Sequence, residues 1–125
     1  MKGLTSLIGV AVAAALTLAV TAPASADQYP SRTIHLVVGF PPGGINDIVA
    51  RLIAPKMAET LGQTVIVENR PGAGGTIGAT HVAQSAPDGY TLMLGSVSNL
   101  AMASALYKSL PYDSTKDFAP VALVA

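Results

Sequence analysis

Three short, nearly uninterrupted apolar runs recur at residues 34–40, 64–69 and 90–95, and each ends in glycine, proline or small polar residues. Runs of this length without polar alternation suit strands buried on both faces, as in a parallel sheet. Parallel neighbours need long crossover connections. The intervening sequence supplies them as helices. Ile45, Ile48, Val49, Leu52, Ile53, Met57 and Leu61 recur at three- and four-residue steps, which predicts a helix with those residues on its buried face. Asn46 and Asp47 stand where capping and first-turn residues belong, Gly62 is a helix stop, and Pro55 predicts a kink. A second helix is predicted over 76–84, with Ile77 and Val82 on its buried side, and a third over 100–106. Residues 107–118 read as irregular and residues 119–124 as a further strand. Strands alternating with helices predict an α/β fold with a parallel sheet.

The N-terminus has a separate character. Met1-Lys2 is followed by an uncharged stretch rich in Ala, Leu and Val to Val20, then Pro23 and the small-residue triplet Ala24-Ser25-Ala26. That layout predicts a secretory signal peptide over 1–26, cleaved before Asp27, with no stable membrane insertion afterwards. Residues 27–125 are then the folded part, expected in a bacterial periplasm. The chain contains no cysteine, which removes disulfide scaffolds, thiolate metal sites and cysteine nucleophiles together. Seven basic residues balance seven acidic ones. With no basic excess to neutralise phosphates, nucleic acid is not an expected partner.

The chemistry lies in the loops that follow the strands. A loop that leaves a parallel strand and opens a helix presents backbone N–H groups at the positive end of the helix dipole, a natural anion site. This arises at Pro42, Gly43, Gly44, Asn46 and Asp47, and again at Gly72, Ala73, Gly74 and Gly75. The turn containing Ser96, Ser98 and Asn99 adds hydroxyls and an amide. All three are expected at the carboxyl ends of strands, where open α/β sheets bind ligands. Gly44 is expected to aim its N–H at a ligand. Asp47 reads either as a base or as an acidic residue stabilising the helix dipole. Gly72, Gly74 and Gly78 come close to a dinucleotide-binding fingerprint, which keeps a dinucleotide-dependent enzyme as an alternative. Against it, Gly95 and Ser96 stand where an acidic residue would hold a ribose. His35 lies in an apolar strand and reads as structural; His81 has no partner nearby in sequence, and no metal site is expected. Glu68 and Arg70 read as a surface pair. No nucleophile–base–orienter set is found, so the expectation is a binding protein without a cofactor.

Four segments together resemble a known family. They are Tyr29-Pro30-Ser31 with the stretch from Ile34 through Pro41-Pro42-Gly43-Gly44 to Arg51; residues 67–75; residues 86–92; and Leu110-Pro111-Tyr112-Asp113 with residues 116–121. In this order and spacing they resemble the opening of the Bug/TctC family, periplasmic substrate-binding receptors of tripartite tricarboxylate transporters. The resemblance implies a two-lobed, hinged α/β receptor like type II periplasmic binding proteins. It also implies a small carboxylate ligand held mainly by backbone N–H groups and ordered waters, and membrane permease subunits as partners. By position, the ligand loops would be 41–47, 72–75 and 96–99. Family members are two to three times longer, so the chain is expected to be the N-terminal part of one lobe, with the second lobe missing. A truncated, non-binding remnant is the other reading this length allows.

Overall fold

The computed structural model describes residues 28–124; the expected leader lies outside them. Strand β1 spans Ile34–Val38, helix α1 Ile45–Leu61 and strand β2 Val65–Asn69. A 3-10 turn at Ala73–Gly75 opens helix α2, Thr76–Ala83, which leads to strand β3, Thr91–Leu94. A π-helical turn at Ser98–Met102 runs into helix α3, Ala103–Leu106. The sheet is parallel with order β2-β1-β3; Ile34 lies opposite Val65 and His35 opposite Thr91. The predicted α/β alternation is therefore observed.

β1 is the central strand because its apolar run is the most complete. Ile34, Val37 and Val38 are fully buried and Leu36 nearly so. Leu36 and Val38 form the core with Ala50 of α1 and Leu94, flanked by Val49, Ile53, Val65, Val67 and Leu92. β2 and β3 lie on opposite sides of β1. Right-handed crossovers then place α1 on one face of the sheet and α2 on the other. The chain thus reverses its winding direction about β1, and open α/β sheets bind ligands beyond the strands' carboxyl ends at such a point.

Each helix meets the sheet through its small residues and only part of its expected apolar face: Val49 and Ile53 of α1 pack on the core as expected. α1 buries Asp47, Ala50 and Ala54, whereas Ile45, Ile48 and Leu52 are 72%, 48% and 64% exposed. The two alanines let the helix approach closely, and the larger residues flank or oppose that line of contact. α2 likewise buries Thr76, Gly78 and Ala79 and leaves Ile77 exposed. Its reason is visible at Gly78, where a Cβ would come within 2.9 Å of Gly39 Cα and 3.2 Å of the Arg70 carbonyl. α1 runs through Pro55 as one element; that residue is exposed, so the carbonyl left without a donor can turn to water. Gly62 ends it in the left-handed conformation, its N–H bonded to the Ala58 carbonyl.

Two expectations fail. Residues 119–124 form no strand: Leu123 is 91% exposed, and the segment pairs with neither outer strand. Apolar character alone does not make a strand without a neighbour to bond. The predicted polar turn at 96–99 is instead the entry to the π-helical turn, which begins at Ser98, ahead of the helix expected from Leu100.

Candidate functional site

The three loops do lie at the carboxyl ends of the strands, and each is held by different chemistry. The first, residues 41–44, is fastened by Asp47. Asp47 as a whole is only 3% exposed, and its carboxylate is the hub of the fastening. Oδ2 accepts the Gly43 N–H at 2.9 Å, both oxygens accept Arg51 Nε at 3.0 Å, and Oδ1 accepts Asn69 Nδ2 at 2.9 Å. Asn69 Nδ2 also reaches the Phe40 carbonyl at 3.1 Å, and its Oδ1 accepts from the Arg51 guanidinium at 3.1 Å. Arg51, one turn on from Asp47, is the charged partner among them. With the Gly43 N–H and Asn69 it lowers the Asp47 pKa to about 2, against the opposing effect of burial. Asp47 is thus an internal fastener, in keeping with the first-turn reading rather than the base reading. Gly43 takes a positive φ of 85° and opens to space free of neighbours within 4 Å. Gly44 has an ordinary extended backbone, φ −76°, and its N–H leans on the Pro41 carbonyl at 3.5 Å. Of the two glycines, then, Gly43 is the one whose conformation favours glycine, and its N–H is already engaged. Pro42 is exposed and Asn46 half-buried.

The second loop is fastened without charge. Gly72, Ala73, Gly74 and Gly75 take φ values of 133°, 46°, 66° and 89° in succession. The Gly75 N–H closes a turn on the Gly72 carbonyl at 2.9 Å. The Ala73 carbonyl accepts three donors: the Thr76 N–H, the Thr76 hydroxyl at 2.9 Å and the Tyr107 hydroxyl at 3.2 Å. In a planar trans peptide the carbonyl and the following N–H point in opposite directions. Tying the Ala73 carbonyl back onto α2 therefore aims the Gly74 N–H away from the helix, along the positive end of its dipole.

The third loop centres on Asn99, which is fully buried. Its Oδ1 accepts the Ser96 N–H at 2.9 Å and the Ser96 hydroxyl at 3.2 Å, and its backbone carbonyl accepts the Tyr112 hydroxyl. Its Nδ2 finds no partner. It lies against the end of β1 and the second loop: a Cβ on Gly39 or Gly75 would come within 3.2 Å or 3.0 Å of it. The structure thus brings Gly75 and Asn99 together at Gly39, with Ser96 bonded to Asn99 and the Phe40 ring also against Gly75. Pro42, Gly43 and Gly44 are exposed, with Gly43 tied to Asp47, and Ser98 is exposed.

Asn69, Tyr107, Tyr112 and Gly39 went unread as site residues. The Asp47–Arg51 pair was visible as an i, i+4 spacing. Nothing local marks the tyrosines, which act across 13 and 34 residues. Glu68, read as a surface partner of Arg70, does bond it at 3.2 Å, and it also shares a hydrogen bond with His35. That bond is the main reason the Glu68 carboxyl is held below its usual range.

Residues 49–125 match the model of the tripartite tricarboxylate transporter family receptor, TctC. The chain belongs to the TctC receptor family. Among curated TctC relatives it is similar to the protein BugT of Bordetella pertussis, 47% identical over 125 residues, 99% of this chain and 37% of BugT. Among solved structures it is similar to MatC from Rhodopseudomonas palustris with bound malate. There the identity is 52% and the TM-score 0.74, over 77% of this chain and 33% of MatC. It is also similar to a second R. palustris protein, solved with adipate, at 39% identity and TM-score 0.67, over 70% of this chain and 29% of that one. The chain spans about a third of the length of the curated TctC relatives it matches. Among the described residues, no helix is long and apolar enough to cross a membrane.

Proposed function

We propose that the chain is the first-lobe segment of a periplasmic receptor that captures a small carboxylate for a tripartite tricarboxylate transporter. The observation that carries this reading is the Ala73 carbonyl tied back onto α2, which by peptide planarity turns the Gly74 N–H the other way. That N–H faces outward at the positive end of α2, on a loop that takes no hydrogen bond from a lysine or arginine among the described residues. Backbone donors so placed suit a carboxylate oxygen. The malate and adipate in the two R. palustris relatives support that ligand class.

In this reading the ligand meets Gly74, Ser98 and the first-turn N–H groups of α1 around Asn46. Gly43, Asp47 and Asn99 hold the loops in place. Pro42, Gly44, Gly72, Ala73, Gly75 and Ser96 shape the approach. Partners are the permease subunits in the membrane, reached after the leader is removed. Titration calorimetry of the two-lobed receptor that carries this segment, with malate and adipate, is expected to show saturable one-to-one binding without turnover. Binding of neither acid would overturn the reading, and saturable binding of a nicotinamide dinucleotide would favour the enzyme alternative. N-terminal sequencing of periplasmic material is expected to begin at Asp27; Met1 retained on membrane-bound protein would refute export.

A further inference from the structure

We propose that Tyr107 is a positioning residue for the second loop: its hydroxyl holds the Ala73 peptide so that the Gly74 N–H faces the ligand. This rests on the carboxylate reading above and names a side chain that no loop motif contains. Ala73 is the one residue other than glycine with a positive φ among the described residues, at 46°. A side chain there carries a steric penalty that glycine escapes, so the conformation persists only where surrounding contacts impose it.

Three donors impose it, and they differ in kind. The Thr76 N–H and hydroxyl are three residues away and belong to the helix that the loop opens. The Tyr107 hydroxyl comes from 34 residues away, from the segment that follows α3. It is the long-range restraint among the three. It also lies over the loop itself, since a Cβ on Gly74 would stand 3.7 Å from it. Were the Ala73–Gly74 peptide to flip, the Ala73 carbonyl would turn toward the ligand and repel a carboxylate. The Tyr107 bond opposes that flip, because the flipped peptide leaves the hydroxyl without its acceptor.

The test needs a reading with and without ligand. In the ligand-free protein, Tyr107→Phe is expected to speed amide exchange at Gly75, whose N–H closes the turn on Gly72, and to leave β1 exchange unchanged. With malate as the probe, the same variant is expected to bind about three- to tenfold more weakly, the fold-change of one neutral hydrogen bond, with an unchanged melting temperature. Ala73→Gly removes the steric penalty, and in that background Tyr107→Phe is expected to cost distinctly less. Unchanged Gly75 exchange in Tyr107→Phe would overturn the proposal, as would an undiminished loss of affinity in the Ala73→Gly background. If the unsubstituted protein bound no malate while the exchange result held, the ligand reading would fall and the positioning of the loop by Tyr107 would stand.

Discussion

The first and second loops perform the same geometric task by opposite means. The first needs one positive-φ residue, Gly43, and is tied down by a buried carboxylate with a guanidinium and a carboxamide around it. The second uses four positive-φ residues in a row and is tied down by hydroxyl and backbone donors on one carbonyl. A loop fastened by charge is sensitive to protons and, outside its one positive-φ position, tolerant of backbone substitution. A loop fastened by conformation is indifferent to protons and intolerant of side chains.

The largest expected effect attacks the second loop through its packing. Gly78→Ala places a Cβ against backbone atoms on two sides, Gly39 Cα and the Arg70 carbonyl, neither of which can move as a side-chain tip can. Overpacking of this kind costs about 1–3 kcal/mol, read as a lowered denaturation midpoint. Faster exchange at Gly75 is expected with it, and unaltered exchange at Gly43.

Next comes acid. The folded Asp47 pKa, about 2, lies below the ordinary carboxylate value. Its contribution is therefore complete above about pH 4 and lost as pH falls through about 2. Glu68 and Asp113 are also held below their usual range. The informative quantity is thus the difference in melting temperature between the unsubstituted protein and Asp47→Asn. That difference is expected to be constant near neutrality and to shrink below pH 4. A difference that stayed constant to pH 2 would mean that charge does not fasten the first loop.

A smaller contrast separates the two glycines of the first loop. Gly43→Ala forces a side chain into the left-handed region, at about 1–2 kcal/mol. Gly44→Ala keeps a permitted backbone and meets only the Pro41 carbonyl at 3.5 Å, so it is expected to be neutral or slightly stabilising. Equal losses at the two positions would contradict the assignment of conformation to Gly43 alone. The smallest effect belongs to Ala73→Gly. Relief of the positive φ offsets the added flexibility of glycine, leaving stability within about 0.5 kcal/mol of the parent.

The strands and α1 were legible because continuous apolar runs and three-four spacing are local signals. The helix faces were legible only in part: Val49 and Ile53 meet the core as expected, but burial also follows closeness of approach. Ala50, Ala54 and Gly78 decide it, and they carry little hydrophobic signal. The first two loops were placed correctly at the strand ends from glycine and proline, whereas the third, read as a polar turn, opens a π-helical turn. The division of labour within them was not legible. Asp47 depends on Asn69, 22 residues away, and Ala73 on Tyr107. Residues 119–124 show the converse: a strong local strand signal without a strand to pair with.

The strand order also sets a schedule for folding. β1 meets β2 across about 30 residues of chain and β3 across about 55, so the β1–α1–β2 unit closes the shorter loop and can form first. The first loop with its Asp47–Asn69 fastening lies wholly within that unit. The junction of Gly39, Gly75 and Asn99 must wait for β3, and the Tyr107 and Tyr112 bonds for the chain beyond it. As the chain emerges from its amino end, the charge-fastened strand-end loop is therefore ready before the loops held by conformation.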